Sequence, residues 1–136
     1  MLHYTDYLII ISPPDDIKKM VIKYKRASVN LIGHFDGMYA TPHITITHQI
    51  RCKPFLVQPK IVQWQHKLNT MPGITLRVTG FDFFDHGSTA KTIYAKIETT
   101  THTLNWFKLL LKQLGIKVKN FVPHIPVACN IPVTGI

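Results

Sequence analysis

Apolar positions recur along the chain with two different periods, and their succession predicts five strands and three helices. Tyr7 to Ile11 is apolar and β-branched and reads as a buried strand. Ser12 then offers an N-cap, Pro13 a first helical position, and Asp15 and Asp16 an acidic first turn. In the helix that follows, Ile17, Met20, Val21 and Tyr24 share one face, with Lys18, Lys19, Lys23 and Lys25 turned outward. Gly33 and the Asp36-Gly37 pair end it.

Tyr39 to Ile50 holds an alternating stretch and predicts a second strand. Pro54 and Pro59 bracket a connection into a second helix, on which Ile61, Trp64, Leu68 and Met71 recur before Pro72-Gly73 stops it. Ile74, Leu76 and Val78 alternate with Thr75, Arg77 and Thr79 in a strand running towards Phe84. A turn at Asp85-His86-Gly87-Ser88 returns the chain along Thr92 to Thr99, making a hairpin. Leu104, Phe107, Leu110, Leu111 and Leu114 line the third helix, which Gly115 terminates. Phe121 to Ile131 is the last strand. The order β-α-β-α-β-β-α-β predicts an α+β fold with largely antiparallel sheets.

Composition narrows this picture. A chain of 136 residues, 46% apolar and 17% charged, is a single folded domain over 1–136 and neither a disordered tail nor a linker. Its longest apolar run, Leu8 to Ile11, is far short of the roughly 20 residues a membrane span needs. Ser12-Pro13-Pro14-Asp15-Asp16 follows that run in place of a cleavage site, so no secretory signal is expected. Cys52 and Cys129 are too few for a disulfide scaffold. A reduced, cytoplasmic, soluble protein without a membrane segment is expected. The net charge of +9 favours encounter with polyanions, so nucleic acids or phosphorylated small molecules are the natural partners. With only seven carboxylates, and neither H-E-x-x-H nor C-x-x-C, no metal site and no cofactor are expected; His34-Phe35-Asp36, Asp82 and Asp85-His86 do not form a ligand pattern.

The chemistry lies in a repeated element. Thr41-Pro42-His43-Ile44-Thr45-Ile46-Thr47 and Val122-Pro123-His124-Ile125-Pro126-Val127-Ala128 each follow a helix and each open a strand. Strand alternation puts His43, Thr45 and Thr47 on one face and Ile44 and Ile46 in the core. In the second copy it puts His124, Pro126 and Ala128 on one face and Ile125, Val127 and Cys129 inside. Two histidines so held suit phosphodiester cleavage, in which one group takes a proton from the attacking oxygen and another gives one to the departing oxygen. An unperturbed imidazole, with a pKa of about 6.5, serves either role near neutral pH. The Thr45 hydroxyl reaches the same space and can donate to a phosphate oxygen, and Thr47 shares its face. Packing alone would also explain an isolated histidine on a strand. The pairing of two in one repeated element favours a phosphate-facing site.

These motifs resemble those of the two-histidine (2H) phosphoesterase superfamily, which includes 2′-5′ RNA ligases and cyclic phosphodiesterases of RNA metabolism. His43-Ile44-Thr45 matches the family's H-x-T/S motif in full, and His124-Ile125-Pro126 keeps the histidine and its Phe-x-Pro lead-in. The first strand ending in Pro-Pro and the ITLRVTGF strand after the second helix also fit, so the likeness covers nearly the whole chain. The resemblance implies a bilobal, pseudo-symmetric fold of antiparallel sheets flanked by helices around a central cleft. It also implies metal-independent catalysis, with His43 and His124 as the acid–base pair and Thr45 as a phosphate-binding hydroxyl; which histidine is the base stays open. The implied substrate is RNA or a cyclic-phosphate nucleotide, with a 2′,3′-cyclic phosphate or a 2′-5′ linkage.

Two departures temper it. Pro126 offers neither hydroxyl nor N–H where the family has Thr or Ser. The chain ends at Ile136, so the second lobe is expected to be incomplete, with an open sheet edge that invites self-association. The alternative consistent with Pro126 is a catalytically silent RNA- or nucleotide-binding module that keeps the cleft.

Overall fold

A computed structural model describes residues 3–87 and 89–132. Among them the elements run β1 (Thr5–Ile11), α1 (Asp15–Ile32), β2 (Ile44–Cys52), α2 (Pro54–Asn69), β3 (Val78–His86), β4 (Ala90–Ile97), α3 (Thr101–Leu114) and β5 (His124–Pro132). The fold is α+β in the predicted order. No helix among the described residues is long and apolar enough to cross a membrane.

The chain divides into two compact units. The first holds β1 up to Ile9, Thr45–Arg77 and Glu98–Val122; the second holds Ile10–Ile44, Val78–Ile97 and the chain from Pro123. In the first unit β1 pairs with β2. The Arg51 N–H near the end of β2 donates to Asp6 Oδ1 near the start of β1 at 2.9 Å, so the strands run in opposite directions. Helices α2 and α3 pack on each other. Phe107, Leu110, Leu111 and Leu114 are buried along α3 at the spacing that puts them on one stripe. The Thr100 hydroxyl caps α3 by accepting from the Thr103 N–H at 3.2 Å. The indole N–H of Trp64 donates to Leu114 O, and that of Trp106 to Pro72 O. Both tryptophans thus tie α2 and the turn after it to α3.

In the second unit β3, β4 and β5 form an antiparallel sheet in that order, with α1 packed on β5. The predicted hairpin is present, with His86 opposite Ala90 across a short turn. The core is Val21, Ile44, Tyr94, Ala95, Ile97, Ile125, Val127, Ala128 and Ile131.

Several sequence expectations change. Strand β1 is not buried: Leu8 and Ile10 are exposed, because β1 alternates in a sheet that pairs it only with β2 among the described residues. Helix α1 starts later than the Ser12 reading, with Pro14 at its N-cap and no side-chain capping bond. Pro59 lies within α2 and Pro54 begins it. A proline at the first position costs nothing there, whereas Pro59 removes one helical hydrogen bond. The helix persists around it through the burial of Val57 and the Trp64 bond. Residues 39–43 and 74–77 are irregular, so β2 and β3 are shorter at their starts than the alternation suggested. Lys25 does not face out; it is only 4% exposed.

Candidate functional site

The two histidine segments have the same burial. Residues 42–46 alternate buried and half-buried, and residues 123–127 repeat that alternation position for position. Pro42 and Pro123 are among the most deeply buried side chains, and Ile44, Ile46, Ile125 and Val127 are buried beneath the strand onsets. His43 and His124 are therefore both half-buried, each clamped between a buried proline and a buried isoleucine. Both belong to the second unit. Thr45 and Thr47 are half-buried on β2 in the first unit, and His48, despite sharing the parity of Ile46, is exposed.

The surroundings of the two rings differ. His43 Nδ1 lies 2.8 Å from Thr41 O. A carbonyl oxygen only accepts, so Nδ1 carries the proton and the neutral ring presents its lone pair at Nε2. His124 lies edge-on against a stacked aromatic pair, 5.0 Å from Phe84 and 5.1 Å from Tyr94, whose centroids are 4.3 Å apart. Lys96 is directly opposite His124 across the β4–β5 ladder, which puts the two side chains on one sheet face. Lys96 is exposed, so a cation and an imidazole share that face. Burial, with the Asp82 carboxylate adding to it, pushes the Tyr94 phenol above its ordinary range and keeps it protonated.

The expected face of β5 holds only as far as Val127. Ladder shifts opposite β4 put Ala128 next to Ile93, so Ala128 is fully buried and Cys129 half-buried, the reverse of simple alternation. Pro126 is tolerated because β5 lies at one side of its sheet among the described residues.

Behind His43 stands a buried lysine. Lys25 Nζ donates to Gly37 O at 2.7 Å and Ala40 O at 3.2 Å, fixing the loop whose next residue, Thr41, orients the His43 ring. Desolvation holds the Lys25 ammonium below its ordinary range, opposed by Cys129. The Cys129 thiol is pushed up by burial, with Lys25 lowering it and Asp36 raising it. A cavity of about 480 Å³ adjoins this loop, with Arg26, Tyr39 and Thr41 in its lining.

The remaining candidates have separate engagements. Arg77 pairs with Glu98, and Lys91 with Asp85 while lying 4.2 Å over the Phe83 ring. Phe81 packs edge-on against Tyr24. Among the described residues no three His, Cys, Asp or Glu side chains gather where they could hold a metal ion. Sequence reasoning missed Lys25, Thr41, Tyr94 and the adjacency of Phe84 to His124. Only Lys25 left a signal, since it stands four residues after Val21 on the apolar stripe of α1. No protein-family model matches the chain, and no curated protein matches it either.

Proposed function

We propose that the protein is a metal-independent phosphoesterase of the cytoplasm acting on RNA-type phosphodiesters, a 2′,3′-cyclic phosphate or a 2′-5′ linkage, by paired-histidine acid–base catalysis. The observation that carries this reading is the repeated strand onset, with a half-buried histidine held between buried proline and isoleucine in both copies. His43, its Nδ1 proton committed to Thr41 O, offers Nε2 for proton exchange. One of His43 and His124 takes a proton from water as its oxygen attacks phosphorus, and the other protonates the departing ribose oxygen as its bond to phosphorus breaks. Thr45, two residues along from His43, and Thr47 supply hydroxyls to phosphate oxygens, and Lys96 beside His124 offsets their charge. Among the described residues the outer strands of its sheets leave edges, interrupted on β5 by the Asp36–Cys129 bridge, on which a second chain can pair.

The test is hydrolysis of nucleoside 2′,3′-cyclic phosphates with EDTA present. Turnover is expected to persist with chelator and to fall about 10²–10⁴-fold in both His43→Ala and His124→Ala. Loss of turnover with chelator, or its survival in both variants, overturns the proposal.

Pro126 favours a second reading, a silent RNA- or nucleotide-binding module, because the second motif lacks its hydroxyl donor. Salt-sensitive RNA binding without turnover is the result that selects it.

A further inference from the structure

After Glu98 the chain contains no Asp or Glu, while Lys108, Lys112, Lys117 and Lys119 follow in close succession. Lys108 and Lys112 stand one turn apart on α3. The helix ends where Gly115 takes a left-handed conformation, φ 69 and ψ 28. There the Ile116 N–H donates back to Leu111 O at 2.9 Å, and the Gly115 N–H to Lys112 O at 3.1 Å. This reversal folds the following segment back beside the last turn. All four lysines thereby line one cavity of about 670 Å³, with Leu111, Ile116 and Val118 as its apolar part.

All four are exposed, and among the described residues none takes part in an ion pair. Only Lys112 sits in the last turn, where it offsets the negative end of the helix; Lys117 and Lys119 lie beyond it. Four uncompensated cations around one depression repel each other and attract a ligand that carries several negative charges. Phosphates spaced along a flexible chain meet that need, while the apolar lining accepts sugars or base faces. A membrane surface fits less well, because its binding needs several protruding apolar side chains, and of the apolar lining Leu111 is buried, Ile116 half-buried and Val118 alone exposed.

We propose that this cavity binds the phosphodiester backbone of single-stranded nucleic acid. It is built from residues of the first unit alone and uses none of the residues assigned to catalysis. It adds to the proposed activity a preference for polymeric over mononucleotide ligands, and that preference rests on the catalytic reading, whereas binding does not.

The experiment is fluorescence anisotropy of labelled U12 and dT12 with the full chain between 50 and 200 mM salt. Four lysine–phosphate contacts to a single strand contribute about 2.8 to the slope of log affinity against log salt, a roughly 50-fold weakening across that range. The variant K108Q/K112Q/K117Q/K119Q is expected to lose most of that slope with both probes. The charge-matched control K18Q/K19Q/K23Q/K60Q is expected to keep it. Equal losses in the two variants, unchanged oligonucleotide binding in the first, or lysine dependence seen only with phosphatidylserine vesicles overturns the proposal. The double variant His43→Ala/His124→Ala is expected to keep lysine-dependent binding while turnover is lost, and loss of that binding in it overturns the proposal. Lysine-dependent binding in a wild-type chain that shows no turnover refutes the catalytic reading and leaves this site standing.

Discussion

The two strand onsets share a backbone plan, and different side chains flank their rings. Residues 42–46 and 123–127 bury the same positions, so each presents one half-buried imidazole above an isoleucine. The Thr41 carbonyl stands against His43 Nδ1, and Phe84, Tyr94 and, across the ladder, Lys96 stand around His124. Thr45 follows the first histidine and Pro126 the second. Alternation along a strand thus fixes how far a side chain emerges, while its neighbours decide what rings and charges it meets. Two copies of one element thus present the same imidazole to different neighbours.

The shared plan is open to the strongest test. Ile44→Ala and Ile125→Ala are each expected to cost about 2–5 kcal/mol in urea unfolding, because both side chains are almost fully buried. Ile125 should cost the more, since it lies in a three-stranded sheet opposite Ala95, where neighbours have less room to collapse. A loss at either position below about 1 kcal/mol would mean that its onset is not held from beneath, and the equivalence would fail.

How much of this was legible follows from which interactions are local. Period-two runs at Thr41–Thr47 and period-3.6 runs such as Leu104–Leu114 mark strand and helix directly, because burial of one face imposes them. The histidine repeat is visible for the same reason. Pro59 misled, because local propensity says break while packing of Val57 and Trp64 carries the helix through it. The face of Ala128 was lost to a ladder irregularity, which displaces Ala128 and Cys129 before a second shift returns Ile131 to the core, and which leaves no mark in the alternation. The Phe84–Tyr94 pair beside His124 depends on which residues meet across three strands, a register set by the whole sheet. Lys25 reads as solvated by composition and as buried by position. Its burial is possible because Gly37 O and Ala40 O stand where its ammonium ends.

Lys25 sharpens the contrast, since its ammonium holds the loop that leads into the first onset. Lys25→Met leaves two carbonyls without their donor and is expected to cost about 1–3 kcal/mol. Its pH signature has a definite sign. The unfolded chain holds the lysine proton up to about 10.5 and the folded chain releases it earlier, so across that interval Lys25 makes stability rise with pH. Cys129 acts oppositely. Its unfolded thiol titrates near 9.0 and its folded thiol higher, so its contribution is present below that value and is lost as pH climbs. Lys25→Met should therefore steepen the alkaline decline and move the thiolate absorbance at 240 nm to still higher pH. Cys129→Ala should let the lysine-driven rise emerge. Identical alkaline profiles for all three proteins would show that the pair is not coupled.

The smallest effect tests the difference at the second position after each histidine. Pro126 faces Tyr94 across the ladder at the side of the sheet, so Thr fits there without removing a ladder bond that exists. Strand preference favours Thr, and the stability of Pro126→Thr should stay within about 1 kcal/mol of wild type. The new hydroxyl lies two residues from His124 on the same face, where Thr45 lies relative to His43. If the two onsets converge on one phosphate, a further donor to its developing charge should raise turnover of cyclic phosphates about three- to tenfold. The matching loss should appear in Thr45→Val. A gain from the first and a loss from the second would make the onsets chemically interchangeable at this position. A loss at Thr45 with no gain at residue 126 would instead confine hydroxyl donation to the phosphate to the first onset.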